Sequence, residues 1–345
     1  MMFLFRAEAG SDIGLGHLNR SLSLAAALKR LGAESRFAVN LRGGRWDHVD
    51  RRGWTFTEVT APAWSREDCA FTSRMAQQSE SSAVVVDSRN ATDNYLQGLV
   101  EAGHFVICRD DLGTRRFPCQ VVLNGNADAE RLPYSLARKE TRFLLGPKFT
   151  VLPQEFWDVP QRKRSENVQN LLIVLGGTDS YDLMPSLIKL CDDLPMDFTV
   201  TVVMGPFFSD PEEVRRAARV ARKRTTCVES PATLYPLIRE ADLAISGGGQ
   251  TLYELACAGC PAVALEVAPD QGGQMQALQA EGVLRIAGKA GDPGLFENVR
   301  EELIRLVNDP RLQHEMARKG QARVDGKGAH RVAQQLMIEM EALAR

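Results

Sequence analysis

Short apolar runs, each closing on polar or glycine residues, recur along the chain and alternate with stretches of helical periodicity. Phe3–Phe5 reads as a buried strand. Residues 21–31 follow with Leu22, Leu24, Ala25, Leu28 and Leu31 on one helical face. Further strand runs fall at Ser35–Val39, Ala83–Asp87, Phe105–Arg109 and Val121–Asn124. After a polar, two-proline stretch between Pro153 and Asn170 the pattern restarts at Leu171–Leu175. It continues through Phe198–Met204, Thr226–Val228, Leu243–Ser246 and Ala262–Val267. Such alternation predicts parallel sheets with helices on both faces.

The chain's 345 residues suffice for two α/β domains of roughly 150 residues each. The expected organisation is an N-terminal Rossmann-like domain over 1–155, a linker over 156–168 and a C-terminal Rossmann-like domain over 169–328. An amphipathic helix over 329–345 is expected to pack across both domains.

Glycines mark the strand-to-helix junctions. Gly14-Leu15-Gly16-His17 joins the first strand to its helix and puts His17 at or near a helix N-terminus, where unpaired N–H groups favour anions. A dinucleotide fingerprint is not completed, because Asn19 stands where a third glycine would be. In the second half, Gly176-Gly177-Thr178 follows one strand, and Gly247-Gly248-Gly249 precedes a helix beginning near Gln250 and Thr251. Backbone N–H groups at such a junction can hold a diphosphate without a cationic side chain. Glu254, one turn into that helix, has the chemistry to accept hydrogen bonds from a ribose diol; the plainer reading is a glutamate stabilised by the helix dipole.

Ligands in such sheets sit beyond the carboxyl ends of the strands. The polar groups there are Asp87-Ser88-Arg89, Arg109-Asp110-Asp111, Asn124-Gly125-Asn126 and Asp270-Gln271. Each alone also fits ordinary turn chemistry.

Net charge is −2, which implies no global attraction to nucleic acid or anionic membrane. No apolar run approaches the ~20 residues of a membrane span, and the N-terminus lacks the apolar core of a signal peptide, so a cytoplasmic protein is expected. Seven scattered cysteines fit reduced thiols. Cys257-Ala258-Gly259-Cys260 has redox-motif spacing, but it closes a helical pattern over 251–258 with Gly259 as its cap, so it reads as buried thiols without chemistry. No cluster of metal ligands appears, and no cofactor is called for.

RAEAGSDIGLGHLNR at 6–20 closely resembles the RADxxxxxGxGHxxR signature of hydrolases that remove UDP from a diacetamido-trideoxy altrose in pseudaminic acid synthesis. It also resembles the related SpsG-like spore-coat polysaccharide proteins. CRDDL at 108–112, LNGNA at 123–127, LLGPKFTVLPQEF at 144–156, LGGTDS at 175–180 and SGGGQTLYELACAGCPAVAL at 246–265 continue the resemblance in order. It implies an α/β GT-B fold, two Rossmann-like domains facing across a cleft, with UDP on the C-terminal one. His17 would then be the general base, a role suited to a side chain that ordinarily titrates near neutrality. The sugar and phosphates would meet Gly14, Gly16, Arg20, Asp87, Arg89, Asn126, Asp270 and Gln271. The nucleotide would meet Gly176, Gly177, Thr178, Gly248, Gly249, Gln250, Thr251 and Glu254, and its diphosphate would need no divalent ion.

Two departures stand out. Asp87-Ser88-Arg89 replaces a common Asp-His-Tyr, and Glu8 replaces the aspartate of RAD. The first reading is a UDP-sugar hydrolase acting in nonulosonic acid or surface-polysaccharide synthesis. A glycosyltransferase using the same loops, and a non-catalytic nucleotide-sugar-binding homologue, remain open. No clear apolar and basic membrane patch appears between Arg42 and Glu80, which leans toward water or a soluble acceptor.

Overall fold

Ala83–Asp87 reads AVVVD, and all five residues are buried, as expected of a strand with helices over both faces. Most of the strands repeat this composition, and the sheets follow from it. The computed structural model describes residues 1–10, 13–42, 53–134, 137–162 and 167–343. The chain divides into two units, residues 1–154 with 326–345, and residues 155–325.

In the first unit the elements run β1 (Met2–Gly10), α1 (Gly16–Arg30), β2 (Glu34–Arg42), β3 (Thr55–Glu58), α2 (Arg66–Gln78), β4 (Ala83–Asp87), α3 (Asp93–Glu101), β5 (Val106–Arg109), β6 (Val121–Asn124) and β7 (Arg142–Leu145). Among the described residues they form a seven-stranded sheet in the order β3-β2-β1-β4-β5-β6-β7. All these pairings are parallel. The order reverses between β1 and β4, the place where an open α/β sheet presents a ligand crevice.

Arg6 of β1 is fully buried and reaches α2, where its Nη2 and Nε donate to Asp68 at 2.7 and 3.0 Å. Trp64 N, Thr72 Oγ1 and Tyr95 Oη also donate to that carboxylate. The guanidinium lies 4.4 Å from the Trp64 ring centroid. A charge this deep is tolerable only because its partner and donors are complete.

The second unit holds β8 (Asn170–Val174), α4 (Met184–Asp192), β9 (Thr199–Met204), α5 (Pro211–Val220), β10 (Thr225–Glu229), α6 (Tyr235–Glu240), β11 (Leu243–Gly247), α7 (Thr251–Ala258), β12 (Ala262–Glu266), α8 (Gly272–Ala280), β13 (Arg285–Lys289), α9 (Leu295–Asn308) and α10 (Pro310–Arg323). Its parallel six-stranded sheet runs β10-β9-β8-β11-β12-β13, and the order reverses between β8 and β11.

The segment read as a linker is partly built into this unit. Phe156 and Trp157 are buried, with Phe156 edge-on to Tyr235, and Arg162 donates to the carbonyl of Ile238. Residues 163–166 of that stretch, and 43–52 of the stretch inspected for a membrane patch, lie outside the described residues. The last helix, α11 (Gly328–Leu343), belongs to the first unit, where Arg331 donates to the carbonyl of Lys148 and Glu339 pairs with Arg142. Helix α11 was expected to pack across both domains, and its grouping with the first follows from these contacts.

Truncating Asp68 to alanine leaves the Arg6 charge buried and unpaired, so urea unfolding should show a loss of about 3–5 kcal/mol. An Arg6→Met/Asp68→Leu double variant should lose less than either single change. Losses that simply add would show that the two side chains do not act as one buried unit.

Candidate active site

His17 is the second residue of α1, where the loop from β1 turns into the helix. Gly10 and Gly14 close that loop with paired backbone hydrogen bonds of 3.1 and 2.7 Å, and Gly14 takes a left-handed φ of 71° that suits glycine. A Cβ at Gly16 would meet nothing within 4 Å, so the surface beside His17 is left open. His17 itself is 9% exposed.

Asp87, the last residue of β4, lies against this helix. Its Oδ1 is 2.8 Å from His17 Nδ1, and Ser21 Oγ donates to its Oδ2 at 3.3 Å. Arg20 grips the same carboxylate with Nε (2.8 Å to Oδ2) and Nη2 (2.6 Å to Oδ1). Burial disfavours the Asp87 charge, but Arg20 and the His17 hydrogen bond outweigh it and hold the carboxyl well below its usual range. Arg20 is held charged in turn: burial opposes it, and the charges of Asp111 and Asp87 prevail.

From the ends of β5 and β6 come Arg109, Asp111 and Asn126, all among the strand-end polar groups noted in the sequence, of which Asn126 was expected to meet the substrate. Arg109 Nε lies 4.0 Å from Asp87 Oδ2, and Asp111 accepts from Arg20 Nη2 at 3.1 Å. Asn126 donates to Asp111 Oδ1 at 3.3 Å. Seven polar side chains from three strand ends and α1 thus converge at the switch point of one sheet. Arg89 is exposed. Ser88 is buried instead, donating to Glu8 Oε2 at 2.6 Å.

The histidine–carboxylate pair has a direct chemical meaning. A proton on Nδ1 directed at Asp87 leaves the Nε2 lone pair as a base, and the carboxylate stabilises the imidazolium formed when Nε2 takes a proton.

In the second unit the glycine loops sit at the other switch point, but they carry no such charge cluster among the described residues. Gly176 has a φ of 123°, and the carbonyl of Gly177 accepts from Phe207 N at 3.1 Å. A Cβ on Gly247 would meet the Leu175 carbonyl at 2.5 Å, and one on Gly248 would run into Gln271 and Met275. The Gly248 N–H donates to Gln271 Oε1 at 3.1 Å, which also accepts from Val267 N at 2.9 Å. Gln274 donates to the Gly248 carbonyl at 2.7 Å. Gln271, expected to meet the substrate, also braces the glycine triplet through Oε1, toward which Gly248 N–H is directed. Gly249, Gln250 and Thr251 lead into α7, where the N–H groups of Leu252 and Tyr253 donate to the carbonyls of Gly249 and Gln250 at 3.1 and 3.0 Å. Thr178 and Asp270 lie part-buried beyond the ends of β8 and β12, the strands on either side of β11.

Glu254 in the first turn of α7 is 8% exposed, and its Oε2 is buried with no hydrogen-bond partner among the described residues. Burial, aided by the negative charge of Glu155, pushes its carboxyl up to about 7. Cys257 and Cys260 are buried, and burial first of all pushes their thiols up to about 12 and about 11, so neither is a nucleophile at neutral pH.

No protein-family model matches the chain. It is 25% identical over 338 residues to the spore coat polysaccharide biosynthesis protein SpsG of Bacillus subtilis, covering 94% of this chain and 95% of that one. It is 22% identical over 224 residues to the UDP-2,4-diacetamido-2,4,6-trideoxy-beta-L-altropyranose hydrolase of Campylobacter jejuni, covering 64% and 75%. Among solved structures, MurG of Acinetobacter baumannii superposes with a TM-score of 0.69 at 18% identity, over 97% of this chain and 99% of that chain. MnaA of S. aureus, solved with UDP, gives 0.69 at 12% identity, over 100% and 98%. Two parallel sheets flanked by helices, together with these neighbours, define an α/β GT-B protein. Within that class, the chain is similar to SpsG along nearly its whole length and to the altropyranose hydrolase over about two thirds of it.

The raised Glu254 carboxyl has a signed consequence. Between its ordinary 4.5 and about 7 the folded protein holds a proton that the unfolded chain releases, so this group's contribution to stability falls as pH rises through that window. The total is on the order of 3 kcal/mol. Glu254→Gln should therefore be more stable than the wild type in urea melts at about pH 8, with the advantage gone near pH 4.5. An advantage independent of pH would mean that ionisation of Glu254 is not its source.

Proposed function

We propose that the chain is a UDP-sugar-processing enzyme of polysaccharide biosynthesis, and that it uses water to release UDP from its substrate. The observation that carries the reading is the buried His17–Asp87 pair at the switch point of the first sheet. Similarity to SpsG and to a UDP-sugar hydrolase supports both the nucleotide and the pathway class.

In this reading His17 Nε2 takes a proton from water as the water oxygen bonds to the anomeric carbon. The bond from that carbon to the diphosphate oxygen breaks, and UDP leaves with the electron pair. Asp87 balances the charge that appears on the imidazole, and its ionised state needs no rearrangement for the task. Arg20, Arg89 and Asn126 lie at the sugar end, with Gly14 and Gly16 leaving room for it. Gly176, Gly177, Thr178, Gly249, Gln250 and Thr251 hold the diphosphate through their backbone, and Asp270 borders the same loops. The unpartnered carboxylate oxygen of Glu254 receives the ribose diol, which gives a buried polar atom the partner it otherwise lacks.

The test is release of free UDP from a panel of UDP-sugars. Release without an acceptor supports the hydrolase, release only with an acceptor makes the protein a glycosyltransferase, and none at all makes it a binding protein. His17→Ala should lower turnover by about 10²–10⁴-fold while leaving UDP affinity unchanged, since the residue acts in proton transfer. Undiminished turnover in that variant would remove His17 from the mechanism.

A further inference from the structure

The number of hydrogens on one nitrogen of Arg20 decides what His17 can do. Arg20 Nη2 carries two N–H groups and has three neighbours: Asp87 Oδ1 at 2.6 Å, Asp111 Oδ2 at 3.1 Å and His17 Nδ1 at 2.8 Å. Nδ1 itself sits between a group that only donates, Arg20, and one that accepts, Asp87 at 2.8 Å. Two arrangements therefore compete. If Arg20 donates to Nδ1, the ring proton sits on Nε2 and the ring offers no base to the open side. If both Nη2 hydrogens go elsewhere, Nδ1 carries the proton, donates to Asp87 and leaves Nε2 as a lone pair.

We propose that Asp111 is a positioning residue for His17: by taking one Nη2 hydrogen of Arg20 it leaves Nδ1 to donate to Asp87, and so keeps Nε2 as the base. The fork geometry agrees. Arg20 uses Nε and one Nη2 hydrogen on Asp87, and its second Nη2 hydrogen, with Nη1 at 3.5 Å, turns to Asp111. Carboxylates win these hydrogens over an imidazole nitrogen because charge-assisted hydrogen bonds are the stronger kind. Both carboxyls are held ionised by Arg20 against the cost of burial, so both are present as acceptors. Asn126 fixes the other oxygen of Asp111, which keeps it turned toward Arg20. This inference rests on the role of His17 proposed above, but its primary measurement needs no turnover.

Ring-nitrogen NMR of His17 in the ligand-free full chain, at a pH where the ring is neutral, reads the tautomer directly. The wild type should carry its proton on Nδ1. Asp111→Ala should shift the population to Nε2–H, because an Arg20 hydrogen is released toward Nδ1. Adding Arg20→Met to that variant removes the competing donor and should return the proton to Nδ1, a rescue that a merely structural role for Asp111 would not produce. In a turnover assay Asp111→Ala should lower kcat and leave KM nearly unchanged. If Asp111→Ala does not fold, Asp111→Asn must move the tautomer in the same direction by a smaller amount. A proton that stays on Nδ1 without Asp111, or that fails to return in the double variant, overturns the proposal. A correct tautomer pattern in a protein that releases no UDP would instead overturn the hydrolase reading alone.

Discussion

The Arg20–Asp87 ion pair is the contact from which the geometry of the first unit's site follows. It ties the second turn of α1 to the last residue of β4, across the gap where the sheet order reverses. Both side chains are nearly buried, so neither charge has water to fall back on, and loss of one would strand the other. Because Arg20 is held there, the rotation of α1 is fixed as well. A residue three positions earlier on a helix shares its face, which brings His17 over the same carboxylate. Ser21 then adds its hydroxyl to Asp87. One charge pair thus sets the helix, the imidazole and the ionisation of its partner together.

The second unit answers the same topology differently. Its switch point is lined by glycine backbone and braced by the uncharged amides of Gln271 and Gln274. The glycines also do unlike jobs in the two units. At Gly248 a side chain is excluded by Met275 and Gln271, so close packing from α8 requires glycine. At Gly16 nothing stands within 4 Å, and the missing side chain leaves room rather than avoiding a clash. The tight loop directs its Gly248 N–H to Gln271, whereas the open loop leaves space beside a histidine.

Strands buried on both faces were legible because their apolar runs are nearly continuous, as in Ala83–Asp87 and Asn170–Val174. The strands that the apolar pattern missed, Thr55–Glu58, Arg142–Leu145 and Arg285–Lys289, all lie at sheet edges. There one side meets solvent, and the apolar run breaks up. Glycine junctions and His17 could be read locally, since turn chemistry and a helix start are properties of adjacent residues. The roles of Asp111 and Gln271 could not. Asp111 earns its place through a partner 91 positions away, and Gln271 through one 23 positions away, and nothing in the local text separates either from an ordinary turn residue.

The same long-range logic recasts the chain's departures from the pattern it resembles. Glu8 and Ser88 are 80 positions apart, yet they meet in a 2.6 Å hydrogen bond, and Asn90 adds a second donor to the same oxygen at 3.4 Å. A carboxylate one methylene longer than aspartate reaches a hydroxyl on a side chain much shorter than histidine. The two departures from the resembling pattern thus meet each other in a buried acceptor–donor contact. Arg89, by contrast, is exposed where the resembling pattern has a tyrosine. A guanidinium there favours carboxylate or phosphate, which a phenol recognises far less strongly.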